Sequence, residues 1–169
     1  YQGIVCASVV LRRPLSPYYL TYLLDEMPFT AVVEMTAFVD PGEVGGHTLV
    51  YLPKYVAPDD PLFEVSDADL RVRFLGALTK IYPGLTDGDV LAFAVSRVRR
   101  VFPIPTLGYS TRLPRMTASV PGLHLVSSAQ IVNGTLNVNE TVQLAEHAAR
   151  LLARTPRPGP RAPRAEASA

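Results

Sequence analysis

Apolar residues along this chain come in short runs separated by Pro, Gly and charged residues, and their period changes from segment to segment. Gly3 to Leu11 is almost continuously apolar and β-branched, which predicts a strand buried on both faces and stopped by Arg12-Arg13-Pro14. Tyr18 to Leu24 reads as a second strand closed by Asp25-Glu26 and Pro28, and Ala31 to Phe38 as a third with partial alternation. Within the third strand, alternation turns Glu34 toward solvent, the other reading being the wall of a substrate cavity. The glycine-containing segment Asp40 to His47 lacks the helix that a phosphate-binding turn requires. Since Thr48 to Tyr55 follows as another strand, the segment reads as a hairpin connection.

The period then becomes helical. Ser66-Asp67-Ala68-Asp69 has the layout of a capped helix start, and Leu70, Phe74, Ala77, Leu78 and Ile81 share one face before Tyr82-Pro83-Gly84. Asp87-Gly88-Asp89 turns the chain into a strand over Val90 to Val98. The prolines at 103 and 105 keep 101–109 extended. Farther on, Leu123 to Val126 predicts a strand, Asn133-Gly134 a turn, and Val138, Val142, Ala145, Ala149 and Leu152 the apolar face of a helix. Strand, loop and helix in that order suit a ligand at the helix start, where backbone amides lack partners, but also fit an ordinary βα unit that binds nothing. From Arg154 to Ala169 the chain is rich in Pro, Arg and Ala without an apolar period, which predicts a disordered tail.

Composition narrows the functional classes. With 48% hydrophobic residues, 169 residues suffice for a substantial core in one or two small domains. No apolar stretch is long enough to cross a bilayer, and no signal-peptide layout is present, so a soluble protein is expected, cytoplasmic or peripheral to a membrane. The chain starts at Tyr1 inside an apolar run, which suggests the tail half of a longer polypeptide. A net charge of +1 offers no general attraction to nucleic acid. The single cysteine, Cys6, excludes an internal disulfide and reads as a buried structural thiol. His47, His124 and His147 show no ligand spacing, and Asp87 and Asp89 read as a polar turn, so no metal is expected. No general base, nucleophile or triad can be assigned.

Pro121-Gly122-Leu123-His124-Leu125-Val126, Asn133-Gly134-Thr135-Leu136-Asn137 and Ala148-Ala149 together resemble the C-terminal flavin-contacting segment of the FAD-dependent amine oxidase, protoporphyrinogen oxidase and phytoene desaturase superfamily. Ser127-Ser128 stands where that family has Gly-Asp, and Glu140-Thr141 near its usual small residue and Gly; a hydroxyl at Ser128 can still donate a hydrogen bond. Phe102, Pro103, Pro105 and Tyr109 fit the family's return from substrate domain to FAD domain. The resemblance thus runs from about Gly3 to Ala153.

The resemblance implies an α+β chain. A mixed, mainly antiparallel substrate-domain sheet with a helix would occupy 1–108. The return segment and the C-terminal strand-loop-helix of a Rossmann-like FAD domain would occupy 109–153, ahead of the tail at 154–169. FAD would be the cofactor, with Ser127, Ser128, Asn133, Gly134, Thr135, Leu136, Asn137 and Val138 beside it. Candidate substrate positions are Glu34, Tyr51, Arg97 and Tyr109. The partners would be an N-terminal Rossmann half, in the same or a separate chain, and a small or apolar substrate oxidised by hydride transfer. The chain alone would be inactive. The sequons at Asn133 and Asn139 match a glycosylation pattern, but a loop facing a cofactor explains them without sugar. Two other readings stand beside this one: a non-catalytic accessory subunit, and a free-standing α+β module for a small ligand.

Overall fold

The computed structural model describes residues 1–154; the Pro- and Arg-rich tail lies, from Thr155 on, outside the described residues. The protein is α+β, and the chain divides into two compact units, Tyr1–Pro103 and Ile104–Ala169.

Unit 1 is a five-stranded antiparallel sheet with one helix. Its strands are β1 (Gln2–Leu11), β2 (Leu20–Tyr22), β3 (Ala31–Glu34), β4 (Thr48–Val56) and β5 (Val90–Phe102), in the order β2-β3-β4-β1-β5. β1 is central and pairs with β4 from Gly3↔Val56 to Leu11↔Thr48 and with β5 from Gln2↔Phe102 to Leu11↔Val90. Its burial alternates: Val5, Ala7, Val9 and Leu11 are fully buried, while Ile4, Cys6, Ser8 and Val10 are half-buried. The expectation of burial on both faces therefore holds for one face only.

Helix α1 (Asp67–Ile81) covers the buried side, placing Leu70, Phe74, Leu75, Ala77 and Leu78 in one cluster with Val5, Val9, Val50 and Leu52. The ring of Phe74 meets that of Phe29 edge-on at 5.6 Å. Burying each large side chain here contributes about 1.5–3 kcal/mol. The helix begins where the sequence places it, with the Ser66 hydroxyl accepting the Asp69 amide at 3.1 Å. It ends at Tyr82, whose amide donates to Leu78 O before Pro83.

The smaller strands depart from the sequence pattern. Of the strand expected over Tyr18 to Leu24 only Leu20–Tyr22 pairs, and β3 gives way after Glu34 to a 3-10 turn at Met35–Ala37. β2 lies at the sheet edge with one neighbour, so few ladder bonds hold its ends. The hairpin between β3 and β4 is present, closed through Gly45 and Gly46 at φ +70° and +78°, a backbone region that favours glycine. β5 runs on to Phe102, because β1 offers it pairing as far as Gln2.

Unit 2 contains 3-10 turns at Tyr109–Arg112 and Ser128–Gln130 and helix α2 (Val138–Arg154). The strand expected over Leu123 to Val126 is reduced to an isolated antiparallel bridge, Thr117↔His124, flanked by the bonds Leu125 N to Met116 O and Ala118 N to Leu123 O. Among the described residues, unit 2 has no sheet for the run to join, and Leu123, Leu125 and Val126 stay exposed.

Candidate functional site

Of the positions expected beside a cofactor, Asn133 to Val138 are contiguous and exposed at the N-terminus of α2. Asn137 caps the helix. Its Oδ1 accepts the Glu140 amide at 2.9 Å, its Nδ2 donates to Thr135 O at 3.1 Å, and its carbonyl accepts the Thr141 amide at 3.1 Å. The amides of Val138 and Asn139 have no intrahelical acceptor, and the helix dipole favours negative charge in front of them. Gly134 stands at φ +140°, where a side chain is strained.

Ser127 and Ser128 lie on the preceding 3-10 turn, which Gln130 fixes. The Ser127 amide donates to Gln130 Oε1 at 3.0 Å, and Gln130 Nε2 donates to Pro114 O and Leu125 O at 3.1 and 3.2 Å. A groove of about 470 Å³ opens beside the turn, lined in part by Met116, Thr117, Val132 and His147; none of the eight positions lines it. His124 Nδ1 is sealed from solvent and has no hydrogen-bond partner among the described residues.

The apolar face of α2 expected at Val138, Val142, Ala145, Ala149 and Leu152 is helical but exposed: Val138 is 78%, Val142 50% and Leu152 43% accessible. The covered positions are Ala148, fully, and Leu144 and Leu151, in part. These two stripes adjoin, so α2 covers only one side of its apolar arc.

The three substrate candidates of unit 1, Glu34, Tyr51 and Arg97, do not converge. Glu34 is buried, not solvent-facing: it shares the face of Val50, and its two oxygens accept the amides of Leu15 and Ser16 at 3.1 and 3.0 Å. It anchors the loop after β1. Arg97 pairs with Val5 on the α1 side, donating to Val65 O at 2.7 Å and to Asp67 Oδ1 at 2.6 Å, and so clamps the entry to α1. In unit 2, Tyr109 donates from its hydroxyl to Ala129 O at 2.7 Å and holds the Ser128–Gln130 turn. Tyr51 differs. The register sets Leu20, Val33, Tyr51, Ser8 and Ala94 in one row across the five strands, on the face opposite α1.

Three further rows, Leu49-Val10-Ala92, Pro53-Cys6-Ser96 and Tyr55-Ile4-Val98, extend this half-open face. It is mostly apolar, with Tyr51, Cys6, Ser8 and Ser96 as small polar points, a lining suited to an apolar ligand. The sequence signal for it is the period-2 set Ile4, Cys6, Ser8, Val10, which continuity of the run conceals. Cys6 lies on this face beside the Ser8 row, half-buried; burial pushes its thiol up, which keeps it protonated and a poor nucleophile. Asp89 has its carboxylate occupied by Arg13 at 3.0 Å and by the Thr86 amide and hydroxyl at 2.9 and 2.8 Å, as a polar turn requires.

Among the described residues no helix is long and apolar enough to cross a membrane. Neither a family model nor a curated protein matches the chain. A solved structure does: a provisionally named protoporphyrinogen oxidase from Exiguobacterium sp. 255-15, with a TM-score of 0.63 and 19% identity over 88% of this chain. The aligned part covers 35% of that protein, so this chain spans about a third of its length, and what the two share is the fold.

Proposed function

We propose that this chain is the C-terminal portion of a flavin-dependent oxidoreductase of the amine oxidase-like superfamily. Unit 1 would supply a substrate-facing sheet and unit 2 a flavin-facing helix start. The observation that carries the reading is the shared fold over 88% of the chain, equal to 35% of a protein about two and a half times as long, which leaves room for a nucleotide-binding half elsewhere. The exposed stripe of α2 supports it, since a 17-residue helix that leaves Val138, Val142 and Leu152 open has apolar surface for a further element.

The residues present fit part of FAD. Exposed backbone and polar donors around Asn133 to Val138, a glycine in a conformation that brings backbone close, and a helix N-terminus suit the electron-rich end of a flavin. No G-x-G-x-x-G fingerprint is present for the pyrophosphate, so that contact falls to the other half. When bound, the flavin supplies the hydride acceptor. This chain's part is to hold, orient and shield. The open face of unit 1 around Tyr51, Ser8 and Ser96 would bind an apolar substrate and exclude water, whereas Glu34, Arg97 and Tyr109 act as positioning residues for the loops they tie.

A visible absorption spectrum and an intact mass, taken on one sample of the protein from its natural source, test this. A flavin band with a mass well above that of this chain is the expected result. A flavin band with this mass and a second polypeptide would make the chain an accessory subunit of a split enzyme. A colourless protein of this mass would overturn the flavin reading in favour of a small-ligand module.

A further inference from the structure

We propose that Asn133 is a self-modifying site, losing its side-chain amide to the backbone nitrogen of Gly134 in the folded chain. In this reaction the Gly134 nitrogen bonds to Asn133 Cγ, the Cγ–Nδ2 bond breaks and ammonia leaves with the transferred proton. Water then opens the five-membered imide to aspartate or isoaspartate, so no oxidant or reductant is needed. The step requires an accessible side chain, an unhindered following nitrogen and a backbone free to rotate.

Asn133 and Gly134 are both exposed and lie outside helix and strand. Among the described residues no hydrogen bond engages the Asn133 side chain or the Gly134 amide. Glycine adds no Cβ to hinder ring closure, and here it is hard to replace. A Cβ at 134 would lie 3.0 Å from Glu140 Cδ, and φ is +140°. The labile pair is thus fixed by the geometry of the loop.

The two neighbouring asparagines provide the contrast. Asn137 has its amide oxygen and nitrogen both engaged, by Glu140 N and Thr135 O, and is followed by β-branched Val138. Asn139 lies within α2, and the amide that would attack it, Glu140 N, is bound to Asn137 Oδ1. Helical backbone and occupied groups hold both unreactive, whereas Asn133 has neither protection.

Peptide mapping by mass spectrometry, with separation of aspartate from isoaspartate, after timed incubation of the folded full chain at neutral and mildly alkaline pH tests this, with a urea-denatured sample alongside. The expected result is progressive loss of the Asn133 amide at comparable rates in folded and denatured chain, faster at higher pH, with Asn137 and Asn139 intact in the folded sample. An Asn133→Gln variant, whose ring would be one atom larger, should lose the conversion. Retention of the amide in the folded chain while the denatured chain loses it would overturn the proposal, as would conversion of Asn137 or Asn139 at the same rate.

Discussion

Glu34 and Asp89 both anchor loops of unit 1, yet their surroundings move their acidities in opposite directions. Burial pushes the Glu34 carboxyl up, and the amides of Ser16 and Leu15 pull it partly back. A raised folded value means that its contribution to stability is largest at low pH and declines as pH rises past its ordinary 4.5. The advantage of the native chain over Glu34→Gln should therefore shrink as pH rises through that range, read from denaturant unfolding. Glu34→Ala leaves two backbone donors unpaired and should cost about 2 kcal/mol. Asp89 is held well below the carboxylate range by Arg13 and then by Thr86. Its contribution is present above the ordinary 3.8 and is lost as pH falls through the lower folded value. Asp89→Asn should flatten the acid side of a plot of melting temperature against pH, where the native chain declines.

Helix α1 carries one strong local signal and one weak one. Ser66→Ala removes the cap and should lower stability by about 1 kcal/mol. Gly76 sits exposed within the same helix with nothing within 4 Å of a Cβ, so Gly76→Ala should raise stability by about 0.5–1 kcal/mol. Both are read as denaturant midpoints at unchanged slope. α1 and β4 are legible in the sequence because a cap, a period and the turns beside them agree. β2 and Leu123 to Val126 are not, since a run of strand-forming residues becomes a strand only where a neighbour offers a ladder, and neighbours are a tertiary matter. Glu34 was misread for a related reason: alternation assigns a face, but the Leu15-Ser16 loop that seals that face arrives from β1. The α2 pattern marks the helix and hides which stripe is covered, because the apolar arc is wide enough for two.

Across the whole chain the two units differ in how much they bury. Unit 1 holds a cluster of fully buried aliphatic and aromatic side chains, whereas α2 fully buries only Ala148 among its described residues. Amide exchange should accordingly be faster throughout α2 than in β1, and unit 2 should open at lower denaturant than unit 1. The open stripe should make the chain alone associate as its concentration rises. Val142→Gln with Leu152→Gln should suppress that in light scattering without altering the circular dichroism. The candidate positions at Asn133 to Val138 were legible as one contiguous loop, while the open face of the sheet was not, being assembled from residues of all five strands. The central place of β1 has a kinetic side. Of the five strands β1 is made first and β5 last, so once β4 has paired with one edge of β1 the other edge stays open until β5 follows. Formation of this sheet is therefore gated by its most sequence-distant closure, the pairing of β1 with β5 from Leu11↔Val90 to Gln2↔Phe102.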